Sequence, residues 1–374
     1  MSGSFRQSYA ELTNFISCHS EIEIGESVVS LPENVRPEFY NLFNAARDAF
    51  VQEHFPAYLD DALRLQEQFG RAEAKTKKLF SLEETAVVAG VQRFLQDPKG
   101  ILTRELFDPL FDLLKARETI DSYEARAKSC IEKIFPLVFR AGYERWAILS
   151  LVELLDAERA FGVNVRSLNA GERAKPAAQA PLEAVPVPEE SASFFFNQPR
   201  NAIFAVPDFI VHSSRLNRFI GVRSDFNPGL YNALSGSQQR TWQPIDIELL
   251  TLLENGLTLV YAAERAEDIA LVADAANFCR PDLLLWCIDA QNLAKEKAME
   301  IMTQANAILQ PQLGSYVVAN NSWSESCEAA VVNPQGEIAE PNKGVCILTV
   351  GYDQSKLKPV AEALASAFNE TTTA

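Results

Sequence analysis

The feature that most constrains this chain is the proline-rich stretch from Gly171 to Ser193. Pro176, Pro181, Pro186 and Pro188 each lack the backbone N–H that a helix or an inner strand needs. Large apolar residues are scarce in the stretch, so it cannot build a core of its own. It reads as an extended, semi-rigid tether. A chain of 374 residues is long for one domain. The tether therefore predicts three parts: a helical bundle over 1–170, a Pro/Ala-rich linker over 171–195 and an α/β domain over 196–374.

Ahead of the tether, apolar residues recur at helical spacing. Phe39, Leu42, Phe43, Ala46 and Phe50 fall on one face after Pro37, a residue suited to a first helical turn. Ser81-Leu82-Glu83-Glu84 has the capping-box form, and Val87, Val88, Val91 and Leu95 follow it. Asp97-Pro98-Lys99-Gly100 stops that helix, and Thr103 is placed to cap the next one, which carries Leu106, Leu110, Phe111 and Leu114. Two longer patterns run over Ile120 to Phe139 and Glu144 to Phe161. Five or six helices with short connections predict a bundle.

Beyond the tether the pattern changes. Ala202 to Val211 and Arg218 to Arg223 have hairpin spacing. A helix is expected over Ile245 to Glu254, a strand over Leu257 to Ala262 and a helix over Asp268 to Phe278. A buried strand over Asp282 to Ile288 and a long helix over Leu293 to Leu309 come next. Leu313 to Asn321 and Cys327 to Glu337 read as two further strands, the second closed by Asn333-Pro334-Gln335-Gly336. Val345 to Val350 is another strand, and Lys356 to Phe368 is a closing helix. Strands alternating with helices predict a layered α/β domain with a mixed sheet, and an α+β chain as a whole.

Charge narrows the partners. A formal net charge of −16 repels phosphate backbones, and no Lys/Arg run offsets it, so nucleic acid is disfavoured. No run reaches the roughly 18 apolar residues of a membrane span, and the first residues lack the apolar core of a signal peptide. The expectation is an acidic cytoplasmic protein. Its six scattered cysteines contain no Cys-x-x-Cys pair, and His19, His54 and His212 sit at no ligand spacing, so neither a zinc site nor any other cofactor is expected.

Residues 257–353 resemble the C-terminal half of the nitrilase, or carbon–nitrogen hydrolase, superfamily. The resemblance is carried by Tyr316-Val317-Val318-Ala319-Asn320-Asn321, by Val331-Val332-Asn333-Pro334-Gln335-Gly336-Glu337 and by Ile347-Leu348-Thr349-Val350-Gly351-Tyr352-Asp353. It implies a cysteine nucleophile at a strand end, activated by a glutamate and supported by a lysine. At the aligned place stands Leu259-Val260-Tyr261-Ala262-Ala263-Glu264, with no thiol. Tyr261, Glu264 and Asn320 are then candidates for holding a ligand rather than for catalysis. A second registration puts the thiol at Cys287, in Trp286-Cys287-Ile288-Asp289. The plain alternative for Cys287 is a small core residue at the end of a buried strand.

Val206-Pro207-Asp208, followed by Phe219-Ile220-Gly221-Val222-Arg223, resembles the metal-binding hairpin of Pro-Asp…Glu-x-Lys nucleases. In that family two carboxylates hold a divalent cation and the lysine positions water. Here Gly221 stands in place of the glutamate and Arg223 in place of the lysine, leaving Asp208 as a weak metal candidate beside the simpler reading of an edge hairpin begun by a Pro-Asp turn. A hydrolase-like frame without its nucleophile predicts a non-catalytic protein that binds another protein or a small molecule in assembly or regulation. The rivals are a thiol-dependent carbon–nitrogen hydrolase using Cys287 and a divergent metal-dependent nuclease.

Overall fold

A computed structural model describes residues 4–25, 29–167, 184–196, 207–226, 256–269, 280–290, 293–321 and 344–369. The chain forms two compact units, one of Met1–Glu67 with Ala89–Phe139, the other of Gln68–Val88 with Arg140–Ala374. It is α+β, with an N-terminal helical region and a C-terminal mixed sheet. No helix among the described residues is long and apolar enough to cross a membrane.

The first unit contains α1 (Phe5–Cys18), a short antiparallel ladder of β1 (Glu23–Ile24) with β2 (Val29–Ser30), and α2 (Arg36–His54). It also holds the first part of α3 (Pro56–Phe80), then α4 (Ala89–Gln96), α5 (Pro98–Arg104), α6 (Phe107–Leu114) and the first part of α7 (Ile120–Leu154). Local signals set the ends. Ser4 accepts from Gln7 N at 3.3 Å to cap α1, and Asp97 accepts from Gly100 N at 2.9 Å to cap α5. Buried aromatic rings fill the core: Phe5 stacks on Tyr123 at 5.0 Å and meets Phe50 edge-on at 5.3 Å. Such pairs add about 0.5–1.5 kcal/mol to the gain from burial alone.

Three expected boundaries move. Ser81 starts no helix. Its φ is +54°, a left-handed conformation that an N-cap does not adopt, and Leu82 N donates to Lys77 O at 2.9 Å, which closes the end of α3. The residues after it form β3 (Glu84–Ala86). Thr103 lies inside α5 instead of capping the following helix. The two long helical patterns are one helix, α7, running through Pro136. That proline removes one backbone bond, and the buried Ile131, Phe135 and Phe139 on either side hold the helix together.

The second unit is built on β4 (Ala157–Ser167), β5 (Ala184–Glu190), β7 (Phe209–Ser213), β8 (Arg218–Phe226), β9 (Leu257–Ala263), β10 (Leu283–Ile288), β11 (Gly314–Ala319) and β12 (Val345–Thr349). They form one eight-stranded sheet in the order β12-β11-β10-β9-β8-β7-β4-β5. Neighbours are antiparallel from β5 to β10 and parallel from β10 to β12. Separately, β6 (Ser193–Phe195) pairs with β3 in parallel. Besides the ends of α3 and α7, the described residues of the unit include the helices α8 (Ala266–Ile269), α9 (Lys295–Leu309) and α10 (Lys358–Asn369).

The units do not follow the 1–170, 171–195 and 196–374 partition. α7 stops at Leu154, and residues 157–167, partly read as helix, are β4. Residues 184–190 of the expected tether are β5, the outermost strand beside β4. Pro186 and Pro188 are two apart, so their missing N–H groups face the same way. An edge strand tolerates this on its open side. Residues 168–183 of the tether, the helix over 245–254 and the strand over 327–337 lie outside the described residues.

One face of the sheet packs Leu257, Leu259, Tyr261, Leu284, Trp286, Ile288, Val317 and Ala319 against Ala298, Ile301, Met302, Ala305 and Leu309 of α9. Side chains alternate along a strand, so Thr258, Val260, Leu285 and Cys287 belong to the other face. There Glu144 of α7 meets Thr258, and Tyr143 of α7 donates from its hydroxyl to Gly351 O at 2.8 Å.

Candidate functional site

The chemistry-bearing side chains of the second unit concentrate where α7 meets β8, β9 and β10. Tyr143 to Leu154 of α7 is buried almost throughout. A helix that is buried all round cannot leave a charge unpaired. Glu144 and Arg145 are both unexposed, and they bind each other directly. Glu144 Oε1 also accepts from Thr258 Oγ1 at 2.6 Å and from Asp225 N at 3.1 Å. Arg145 donates through its other terminal nitrogen to Asp225 Oδ2. Arg140, one turn earlier, donates to Asp225 Oδ1 at 3.3 Å and to Gly256 O at 3.2 Å.

Asp208 occupies a similar setting. Its Oδ1 accepts from Arg223 Nη1 at 2.5 Å, and its Oδ2 accepts from Ser224 N at 2.8 Å and Ser224 Oγ at 2.6 Å. Arg140, Arg145 and Arg223 thus answer Glu144, Asp208 and Asp225, charge for charge. Burial pushes the Glu144 carboxyl up to about 7, with Arg145 opposing the rise. Burial acts on Asp225 in the same sense, but Arg145 and Arg140 outweigh it and hold that carboxyl well below the usual range.

The sequence candidates separate on this frame. Cys287 is 1% exposed at the C-terminal end of β10. Burial pushes its thiol well up, Glu144 adds to the rise, and Arg140 and Arg145 only partly oppose it. A glutamate and two cations therefore do act on Cys287, but the result is a neutral thiol, not the thiolate that attacks a carbon–nitrogen bond. Tyr261 lies on the opposite face, in the core beneath α9. Glu264 is beyond the end of β9, its side chain 77% exposed and paired with Arg218 at 3.2 Å. Asn320 is buried after β11 and joins two strand ends: its Oδ1 accepts from Ala290 N at 3.2 Å and its N donates to Ile288 O at 3.2 Å.

Asp208 and Arg223 of the hairpin pattern pair with each other. The glutamate position of that pattern is closed. A Cβ on Gly221 would stand 2.4 Å from Ile269 Cγ2 and 3.0 Å from Pro207 Cγ. Among the described residues no group of three or more His, Cys, Asp or Glu side chains is placed to hold a metal ion. In the first unit a cavity of about 460 Å³ is lined by Arg47, Asp48, Lys99 and Thr103, among others, and holds none of the sequence candidates. Its polar groups are tied to one another, Lys99 to Asp48 at 2.6 Å and Arg47 to Thr103 O at 2.9 Å.

The residues that sequence reasoning passed over are Arg140, Glu144, Arg145 and Asp225. A signal existed. Arg140 and Glu144-Arg145 precede the largely apolar stretch Trp146 to Val152, where a charge must find a partner inside the fold. The partner could not be read, because Asp225 is 80 residues further along the chain. No family model matches this chain, and neither a curated protein nor a solved structure does.

Proposed function

We propose that this protein is a non-catalytic binding protein, acting on another protein or a small molecule in assembly or regulation. The observation that carries this reading is the state of Cys287, a buried neutral thiol beside charges already neutralised within the fold. The second unit keeps the order β9, α8, β10, α9, β11, β12, which supports a nitrilase-like frame from which the nucleophile is missing. Asp208 is committed to Arg223 and Ser224, which counts against the nuclease alternative. Free thiols at Cys18, Cys130, Cys287 and Cys346 support a reducing, cytoplasmic setting.

The test is turnover by the purified full-length chain on a panel of aliphatic and aromatic amides and nitriles, with Cys287→Ser in parallel. The expected result is no Cys287-dependent product. Turnover that disappears in Cys287→Ser would overturn the binding reading in favour of a carbon–nitrogen hydrolase. Magnesium- or manganese-dependent nicking of DNA, abolished by Asp208→Ala, would overturn it in favour of a nuclease.

A further inference from the structure

The cavity of the first unit gathers cations in a chain whose net charge is −16. It lies where α2 meets α5, has a volume of about 460 Å³ and is lined by Arg47, Asp48, Asp97, Lys99, Thr103 and Arg104, among others. Arg47 is held from several sides. It donates through Nη1 to Thr103 O at 2.9 Å and through Nη2 to Asn44 Oδ1, and its guanidinium carbon stands 5.1 Å and 5.2 Å from the centres of the Phe43 and Phe107 rings. Its Nε is buried and has no acceptor among the described residues. Lys99 gives one N–H to Asp48 at 2.6 Å and keeps further donors on the same nitrogen. Arg104 ends α5, and its exposed guanidinium has no hydrogen bond or ion pair among the described residues. The carboxylates face inward commitments instead: Asp48 accepts from Lys99, and Asp97 caps α5 through Gly100 N.

We propose that this cavity binds the phosphate group of a small molecule, with Arg47, Lys99 and Arg104 as its cationic contacts. Three cations line it against two carboxylates, so it carries an excess of positive charge while the chain as a whole is acidic. Burial lowers the pKa of Arg47, with Asp48 opposing, which marks a partly desolvated cation that an anion would relieve. The pattern suits phosphate better than carboxylate. A carboxylate is planar and pairs best with a free guanidinium fork, but both terminal nitrogens of Arg47 already serve Thr103 and Asn44. A phosphate carries up to two charges and points its oxygens in several directions, which matches cations supplied from two helices. The volume falls within the range of small-molecule sites and leaves room for a body beyond the phosphate. The site belongs to the first unit and does not rest on the reading of Cys287, so amide turnover through that thiol would leave it standing.

The experiment titrates the full chain with inorganic phosphate at constant ionic strength and follows the amide resonances of Asn44, Asp48, Lys99 and Arg104 by NMR. Sodium chloride and sodium acetate are titrated in parallel. Phosphate should give saturable shifts at these amides, and chloride should give none. Arg104→Gln should weaken phosphate binding about three- to tenfold. Asp48→Asn removes a carboxylate and releases Lys99, and should tighten binding roughly two- to fivefold. Free phosphate and a phosphate monoester share the recognised group, so glycerol 3-phosphate is titrated as well, and the tighter of the two names the source. Shifts that do not saturate, shifts equal to those with chloride, or acetate binding as tightly as phosphate would overturn the proposal. So would unchanged affinity in Arg104→Gln, an exposed position without a partner whose loss leaves the fold intact.

Discussion

Cys287 and Tyr261 project from opposite faces of one sheet, Tyr261 into the core under α9 and Cys287 toward α7. Two residues divided by a sheet share no cleft, so neither can assist the other. Cys287 should behave as a core thiol. In the native chain, iodoacetamide should modify Cys287 at least about a hundredfold more slowly than the exposed Cys18, and at a similar rate once urea unfolds the protein. Peptide mass spectrometry distinguishes the two sites. Rapid native labelling of Cys287 would contradict the sealed arrangement.

The pairing of Asp208 with Arg223 makes a second prediction. Both side chains are buried, and the carboxylate also holds Ser224. Asp208→Ala removes one charge and strands the other, which should cost about 3–5 kcal/mol in urea denaturation. Removing both with apolar residues, as in Asp208→Leu with Arg223→Met, should recover most of that loss. A loss that adds across the two sites would mean that the pair is not coupled.

Much of this architecture was legible in the residues. The buried run Leu283 to Ile288, the long helix after it and the strand Gly314 to Ala319 all follow from apolar continuity and spacing. What misled was local chemistry with two meanings. Pro186 and Pro188 exclude a helix and an inner strand, yet an edge strand accepts them, and only the pairing with β4 reveals the edge. Ser81-Leu82-Glu83-Glu84 has the residues of a cap, but the left-handed φ at Ser81 turns it into a helix end. The charged cluster was hidden for another reason. Its members come from positions 140 to 258, and distant charges leave no periodic trace.

Gly221 is a position where the nuclease-like pattern and the packing make opposite predictions. The pattern treats it as a lost carboxylate, which Gly221→Glu would restore. The packing treats it as a contact that leaves no room for a Cβ against Ile269. Gly221→Ala should therefore destabilise by about 1–3 kcal/mol, the usual cost of overfilling a packed site. Ile269→Ala in the same chain should relieve part of that loss, and urea unfolding of the single and double variants measures it. Gly221→Glu should gain no affinity for magnesium, as isothermal titration would show.

Asp282 supplies a pH-dependent prediction. It precedes β10, is 8% exposed and accepts one backbone N–H, that of Ala262, at 2.6 Å. Burial raises its carboxyl from 3.8 to about 6, and the hydrogen bond from Ala262 recovers only part of the difference. The folded chain thus binds this proton more tightly than the unfolded chain does. The resulting stability is fully present below 3.8 and is lost as pH rises to about 6. Asp282→Asn keeps an oxygen that can accept from Ala262 and carries no charge at any pH. Relative to this variant, the wild type should lose about 1–3 kcal/mol between pH 4 and pH 7 and change little above that. Urea denaturation of both proteins at matched pH values isolates Asp282, because Asp225 and Glu144 titrate alike in each and cancel in the difference. A constant difference across the interval would mean that Asp282 is ionised in the folded chain at acid pH, with the backbone of β9 supplying more stabilisation than its single hydrogen bond implies.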